Sequence, residues 1–299
     1  MQTTVMATTP IPEISSEHED PCPTPLAWRD VLNAFRRESA SWSVALESAR
    51  VRGQTIGQGP PLYFLNGFTG DLELFSLTVW LLREDFRCVL LDYPDPLNLT
   101  PRELGRMLLR VADDQGDEQF DVYATAFGAV PALTAALDAP QRIRRMILQG
   151  GFSHRRLSLS ERILVRGSRY LPERIQLQSI RQRIHQQNHR HWFPPYDNTR
   201  WQFFLQNALQ VPLRLLASRA AVLQHFDVRA QLSQLATPLL VLRTEGDGHS
   251  ANRDQDALSR QLPQAQIESL HTCGLLPFLT HPHRLSKCIG DFLLQQDRQ

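Results

Sequence analysis

The fold turns on residues 121–137, DVYATAFGAVPALTAAL. DVYAT reads as a buried strand, and FGAVPALTAAL reads as a helix that follows with almost no linker. The turn between them holds Ala124, Thr125, Ala126, Phe127 and Gly128. A strand that runs straight into a helix brings two backbones close together. The flanking positions must then be small, and Ala124, Gly128 and Ala129 meet that need. A nucleophile elbow is such a turn: its central residue takes a strained backbone conformation, and the helix N-terminus lies beside it. Here the central residue is Ala126, which has no hydroxyl.

Outward from the turn, strands and helices alternate. PLYFLNG (61–67) is a continuous apolar run ending in a glycine loop, as suits a central strand buried on both faces. LELFSLTVWLL (72–82) has helical spacing, and FRCVLLDYP (86–94) is the next buried strand. TPRELGRMLLRVADD (100–114) opens with Thr, then Pro, then Glu three residues after the Thr, a helix-start signature. IRRMILQGG (143–151) is a strand. The alternation then stops, and residues 152–232 read as helices. It resumes with TPLLVLRTEGD (237–247), DQDALSRQLP, AQIESLH and HPHRLSKCIGDFLLQQ. Upstream, WSVALESARVRGQTI (42–56) predicts two strands, and Trp28, Val31, Leu32 and Phe35 share one helix face. This order predicts an α/β class protein: a mostly parallel central sheet with helices on both faces and one helical insertion. The expected organisation is an unpacked polar tail over 1–25, a core over 26–151 and 233–299, and a helical lid over 152–232.

Composition narrows the function classes. The 299 residues are 42% apolar and 21% charged, with a net charge of +1. That describes a globular protein without the basic surplus of a nucleic-acid binder. The four cysteines, at 22, 88, 273 and 288, are far apart and form neither a disulfide framework nor a CxxC site. No apolar run approaches a membrane span, and the first residues lack the basic start and apolar centre of a secretory signal. The expectation is a cytoplasmic protein with no transmembrane segment and no nucleic-acid partner.

Four short motifs then fall in a telling order: LNGFTGD (65–71), YATAFGA (123–129), TPLLVLRTEGDG (237–248) and LHTCGLLPFLTHP (270–282). Together they resemble the α/β-hydrolase fold superfamily over roughly residues 42–297. The short DYPD (92–95), with no Gly-rich stretch behind it, is similar to the maspardin-like branch. The resemblance implies that LNGFTGD is the oxyanion loop, with Asn66 where the family carries His. Gly67 and Thr69 would lie beside it, and backbone N–H groups of Phe68 and Phe127 would be the oxyanion donors. Ala126 takes the nucleophile position, Asp247 the acid position and Leu275 the base position. Their chain order matches the nucleophile, acid, base order of the family.

Two of those three positions have lost their chemistry. Alanine has no lone pair with which to attack, and leucine accepts no proton. In serine hydrolases the members of the triad act as a unit, and losing the nucleophile or the base costs about 10⁶ in turnover. A pocket that binds an acyl-like or anionic group without turning it over is therefore expected. Thr125, one residue from the elbow centre, is a candidate pocket residue, although strand alternation favours its packing into the core over its acting as a nucleophile. His271, four residues before Leu275, is the candidate for a displaced base acting through water, which keeps a hydrolase or lyase reading open. Leu275, Leu276 and Phe278 could instead plug the pocket of an interaction protein. Asp247 within EGDG is also a good turn residue in its own right.

The insertion is basic. Residues 155–190 hold nine arginines and two glutamates, with Ile163, Leu164, Ile175, Leu177, Ile180 and Ile184 among them. Solvated arginine faces account for this pattern, and so does a surface for an anionic ligand, a protein partner or a membrane. His185 and His189 share a helix face, with His191 close by, but no Cys, Asp or Glu completes a tetrahedral set. Neither a metal nor a cofactor is expected. HWFPPYDN (191–198) reads as a hinge or a docking loop.

Overall fold

The computed structural model describes residues 27–46, 49–68, 71–94, 99–168, 170, 172, 177–195 and 197–294, with the backbone alone at Asp247, His249 and Ser250. The expectations for the tail, Thr69 and Ile175 lie outside the described residues.

Eight strands build one sheet: β1 (Ala40–Ala45), β2 (Arg50–Ile56), β3 (Pro61–Leu65), β4 (Arg87–Asp92), β5 (Phe120–Thr125), β6 (Ile143–Gln149), β7 (Leu239–Thr244) and β8 (Gln266–Leu270). Their order is β1-β2-β4-β3-β5-β6-β7-β8. The β1–β2 and β2–β4 pairs are antiparallel; every later pair is parallel. Strands β3, β4 and β5 carry mostly apolar, buried residues through their middles because helices cover both faces of the sheet. Leu62, Tyr63, Phe64 and Leu65 of β3 are all fully buried. Each such side chain contributes roughly 1.5–3 kcal/mol of burial against the entropy of ordering the strand.

The helices are α1 (Trp28–Glu38), α2 (Ser76–Leu82), α3 (Pro101–Asp114) and α4 (Ala129–Asp138) in the first half. Between β6 and β7 come α5 (Leu159–Ser168), α6 (Gln178–His189), α7 (Asn198–Gln210) and α8 (Leu213–Leu223). Then follow α9 (Gly248–Gln261), α10 (Pro277–Thr280) and α11 (Pro282–Leu294). The start of α3 is a full capping box: the Thr100 hydroxyl accepts from the Glu103 N–H, and the Glu103 carboxylate accepts from the Thr100 N–H. Leu104, Met107, Leu108 and Val111 face the core at helical spacing. Helix α4 is apolar all round because it lies between the sheet and α3.

The chain leaves β3 toward β4 on one side and returns to β5 on the other. That reversal places the turns after β3 and β5 side by side at the carboxyl edge of the sheet, where open α/β sheets form their crevices. The turns after β6, β7 and β8 open on the same edge.

Candidate functional site

Ala126 follows β5 directly and has φ 44°, in the left-handed region. Only Leu177 and Thr272 share that property among the described non-glycine residues. The conformation costs an L-residue roughly 1–2 kcal/mol, so the surrounding structure must enforce it. The enforcing contact is visible at Gly128. A β-carbon added there would sit 2.5 Å from the Leu65 carbonyl oxygen. The first turn after β5 is pressed against the end of β3, and the chain has to bend sharply to enter α4.

A cavity of about 390 Å³ lies above this turn. Its floor is made by Gly67, Thr125 and Ala126, and a β-carbon added to Gly67 would lie 3.7 Å from that of Ala126. Phe75, Phe204 and Phe278 supply apolar wall, and Leu275 and Leu276 line it from the loop after β8. Asn66 and Phe68 complete the oxyanion-loop side.

Hydrogen bonds fix both loops. The Tyr93 hydroxyl donates to the Asn66 carbonyl at 3.0 Å, and the Asn66 amide donates to the Leu91 carbonyl at 3.3 Å. The Phe68 ring packs on Phe127 with centroids 5.4 Å apart, and Arg219 of α8 donates to the Phe68 carbonyl. On the other side, the Tyr123 hydroxyl donates to the Gln149 side-chain oxygen at 2.5 Å, and the Gln149 amide donates to the Leu275 carbonyl at 2.9 Å. A buried polar relay thus ties two central strands to the Leu275 loop. The Gly246 N–H donates to the Cys273 carbonyl at 3.0 Å, which joins the turn after β7 to the same loop. Trp192 packs against both Gly246 and Gly274, where added β-carbons would meet its ring at 2.6 and 2.4 Å. Part of HWFPPYDN therefore packs against the turns after β7 and β8.

Ala126, Leu275, Asn66, Gly67, Phe68 and Thr125 are thus brought together around one cavity, and Phe127 packs behind Phe68. Asp247 closes the short turn Glu245–Asp247 at the end of β7, on the same sheet edge. Thr125 is buried, with Oγ1 3.5 Å from the Leu65 carbonyl oxygen, and it also lines the cavity floor. His271 is not brought in. It sits exposed at the end of the edge strand β8, where its carbonyl accepts from Arg284 at 2.6 Å, and Thr272 with φ 57° turns the chain away.

Among the cavity residues that the sequence reading missed are His185 and His189 of α6. Their four-residue spacing showed that they share a helix face; what that face meets depends on how α6 packs. Their rings lie 5.7 Å apart, each edge-on to Phe204, and Nδ1 of each is buried without a partner. Burial holds both imidazoles below the usual histidine range. For His189 the drop is to about 4, from burial first and then the neighbouring His185 and His191. Among the described residues no group of three or more His, Cys, Asp or Glu could hold a metal ion.

A pH effect follows. The fold prefers neutral His189, so this stabilisation is complete above pH 6.5. It is lost as pH falls through 6.5, and the loss levels off near pH 4. Solvent screening at the partly exposed ring limits it to about 2 kcal/mol. Asp92 has the opposite sign, since burial raises its carboxyl to about 7. The His189 contribution is therefore read as the difference in urea midpoint between the parent and His189→Gln. That difference should change between pH 7 and 4.5; a constant difference would reject neutral burial of the ring.

The sheet order, the bend at residue 126 and the loops around the cavity are those of the α/β-hydrolase fold, and this chain is an α/β-hydrolase-fold protein. A hydrolase from Pseudomonas aeruginosa superposes with a TM-score of 0.72 at 19% identity, over 85% of this chain and 98% of its own. A thermophilic esterase from Thermogutta terrifontis gives 0.70 at 19% identity, over 86% and 98%. In sequence, the chain is 23% identical over 255 residues to the pimeloyl-[acyl-carrier protein] methyl ester esterase of Nitrosomonas europaea, covering 80% of this chain and 98% of that one. No protein-family model matches. Among the described residues no helix is long and apolar enough to cross a membrane.

Proposed function

We propose that this chain is a binding protein on a hydrolase scaffold: it holds an acyl-type ligand in the cavity above Ala126 and lacks serine-hydrolase chemistry. The observation that carries this is Ala126 itself. Its backbone is strained as a nucleophile's would be, yet its side chain is a methyl group. Leu275 stands on the cavity wall at the position proposed for the base. The backbone N–H groups of Phe68 and Phe127 are the proposed donors to a ligand oxygen, and Asp247 remains at the proposed acid position with no imidazole to orient. The open 390 Å³ favours a pocket that takes a ligand over one filled by Leu275, Leu276 and Phe278. An acyl ester is the substrate class in the name of the Nitrosomonas relative, and it suits these apolar walls. Residues 152–232, which carry α5–α8, are the proposed lid, and its basic face is the proposed surface for a protein partner.

Excess fluorophosphonate should leave the protein unlabelled, as read by intact mass. Stoichiometric labelling of any cavity residue would overturn the reading.

His185 and His189 favour a second reading, in which a buried neutral imidazole activates water against a bound ester or lactone. Turnover of such a panel by the parent, abolished in His189→Gln or His185→Gln, would select it. Absence of turnover in the parent removes it.

A further inference from the structure

Beside the apolar cavity lies a second one of about 600 Å³, enclosed by the loop after β6, the segment before β7 and α9. Arg155 and Arg156 line it from the loop, Arg229 from the segment before β7 and Arg253 from α9. Two carboxylates, Glu161 and Asp254, line it as well. Glu161 is engaged at the start of α5, where it accepts from the Ser158 N–H at 2.7 Å. Arg229 is held by Asp227 in a bidentate pair at 2.9 and 2.6 Å. Among the described residues Arg155, Arg156 and Arg253 close no salt bridge. The Asp254 carboxyl is pushed up by burial, with Arg155 and Arg253 acting against the rise through space, and Arg155 acts in the same way on Glu161. His154 adds a buried Nε2 with no partner, its Nδ1 lying 3.2 Å from the Phe226 carbonyl oxygen.

Three guanidinium groups around one cavity without a directly bonded carboxylate form a surplus of planar, forked donors. That geometry matches phosphate oxygens better than it matches water or a single carboxylate. The two cavities are also continuous in construction. Arg155 lines both, Phe152 and Ala251 wall the apolar one, and Ser153, directly after Phe152, and Arg253, two residues after Ala251, wall the second.

We propose that the arginine-lined cavity is an anion site that takes the phosphate head group of a ligand whose apolar tail lies above Ala126. This rests on the apolar-ligand reading given above. It assigns part of the basic insertion to ligand recognition, with Arg155 at the junction of tail and head.

Calorimetric titration with octyl phosphate, octan-1-ol and inorganic phosphate tests it. Octyl phosphate should bind about tenfold or more tightly than octan-1-ol. Arg156 and Arg253 are exposed, so Arg156→Ala with Arg253→Ala should leave the fold intact. That double variant should lose the phosphate margin while binding octan-1-ol as the parent does, and added salt should narrow the margin in the parent. Equal affinity for octyl phosphate and octan-1-ol, or a margin that survives the double substitution, overturns the anion site and leaves the apolar cavity standing. Failure of octan-1-ol to bind removes the apolar-ligand reading, and with it the two-part ligand, whatever inorganic phosphate does.

Discussion

Ala126→Ser combined with Leu275→His is expected to turn the cavity above residue 126 into a slow esterase. Serine at residue 126 inherits a backbone already at φ 44°, and because alanine and serine both carry a β-carbon the exchange adds no new strain. The hydroxyl would enter a cavity that already has its walls and its proposed oxyanion donors. Histidine at residue 275 would sit on a loop whose carbonyl is held by Gln149 and whose neighbouring glycines are clamped by Trp192. Removing a nucleophile or base from a working serine hydrolase costs about 10⁶ in turnover, and the members contribute as a unit. A rebuilt pair without refined geometry should recover only part of this, about 10²–10³ over the parent on an activated ester. Neither single substitution should do so, because serine without a base keeps its proton and histidine without a nucleophile has nothing to activate. Hydrolysis of p-nitrophenyl acetate and fluorophosphonate labelling at residue 126 are the readouts. A folded double variant no faster than either single one would reject the assignment of residues 126 and 275 to one site.

Gly128→Val is expected to be the most damaging small substitution near the site. An added β-carbon lies 2.5 Å from the Leu65 carbonyl oxygen, 2.9 Å from the Leu65 β-carbon and 3.0 Å from its carbonyl carbon. Two of these three atoms are backbone of a fully buried strand, so no side-chain rotation relieves the contact. Either α4 moves away from β3 or the bend at Ala126 opens. The cost of such overpacking is about 3 kcal/mol, seen as a fall of roughly 6 °C in Tm. The matched control is Gly290→Ala in α11, where nothing lies within 4 Å of an added β-carbon. There the better helix former should stabilise by about 0.5–1 kcal/mol. Gly128→Val behaving like Gly290→Ala would mean that the elbow is not under close-packing constraint.

These two expectations rest on different amounts of legibility. The sequence showed that residues 124, 128 and 129 are small, because close approach of strand and helix tolerates nothing larger. It also showed that the alternation breaks after residue 151 and resumes near residue 237. The capping box at Thr100 and the apolar strands at 61–65 and 87–92 are local signals, and the structure carries them unchanged. Thr125 is at once core and cavity lining, with its Oγ1 beside the Leu65 carbonyl oxygen on the cavity floor. His271 was judged by its distance along the chain from residue 275; it lies at an exposed strand end, and a left-handed Thr272 separates it from the cavity.

The succession of strands and helices along the chain, the break for the helical insertion and the absence of a hydroxyl at residue 126 and of an imidazole at residue 275 are all written in residue identity, because each follows from side-chain chemistry or from periodicity over a few turns. Which distant residues share a cavity is a matter of packing. His185 and His189 reach the space above Ala126 through the placement of α6, and Arg155 joins an apolar chamber to a cationic one through the path of the loop after β6. No pattern along the chain encodes those meetings, because they arise from helices and loops settling against a sheet edge whose strands pair residues as distant in sequence as Met146 and Leu239.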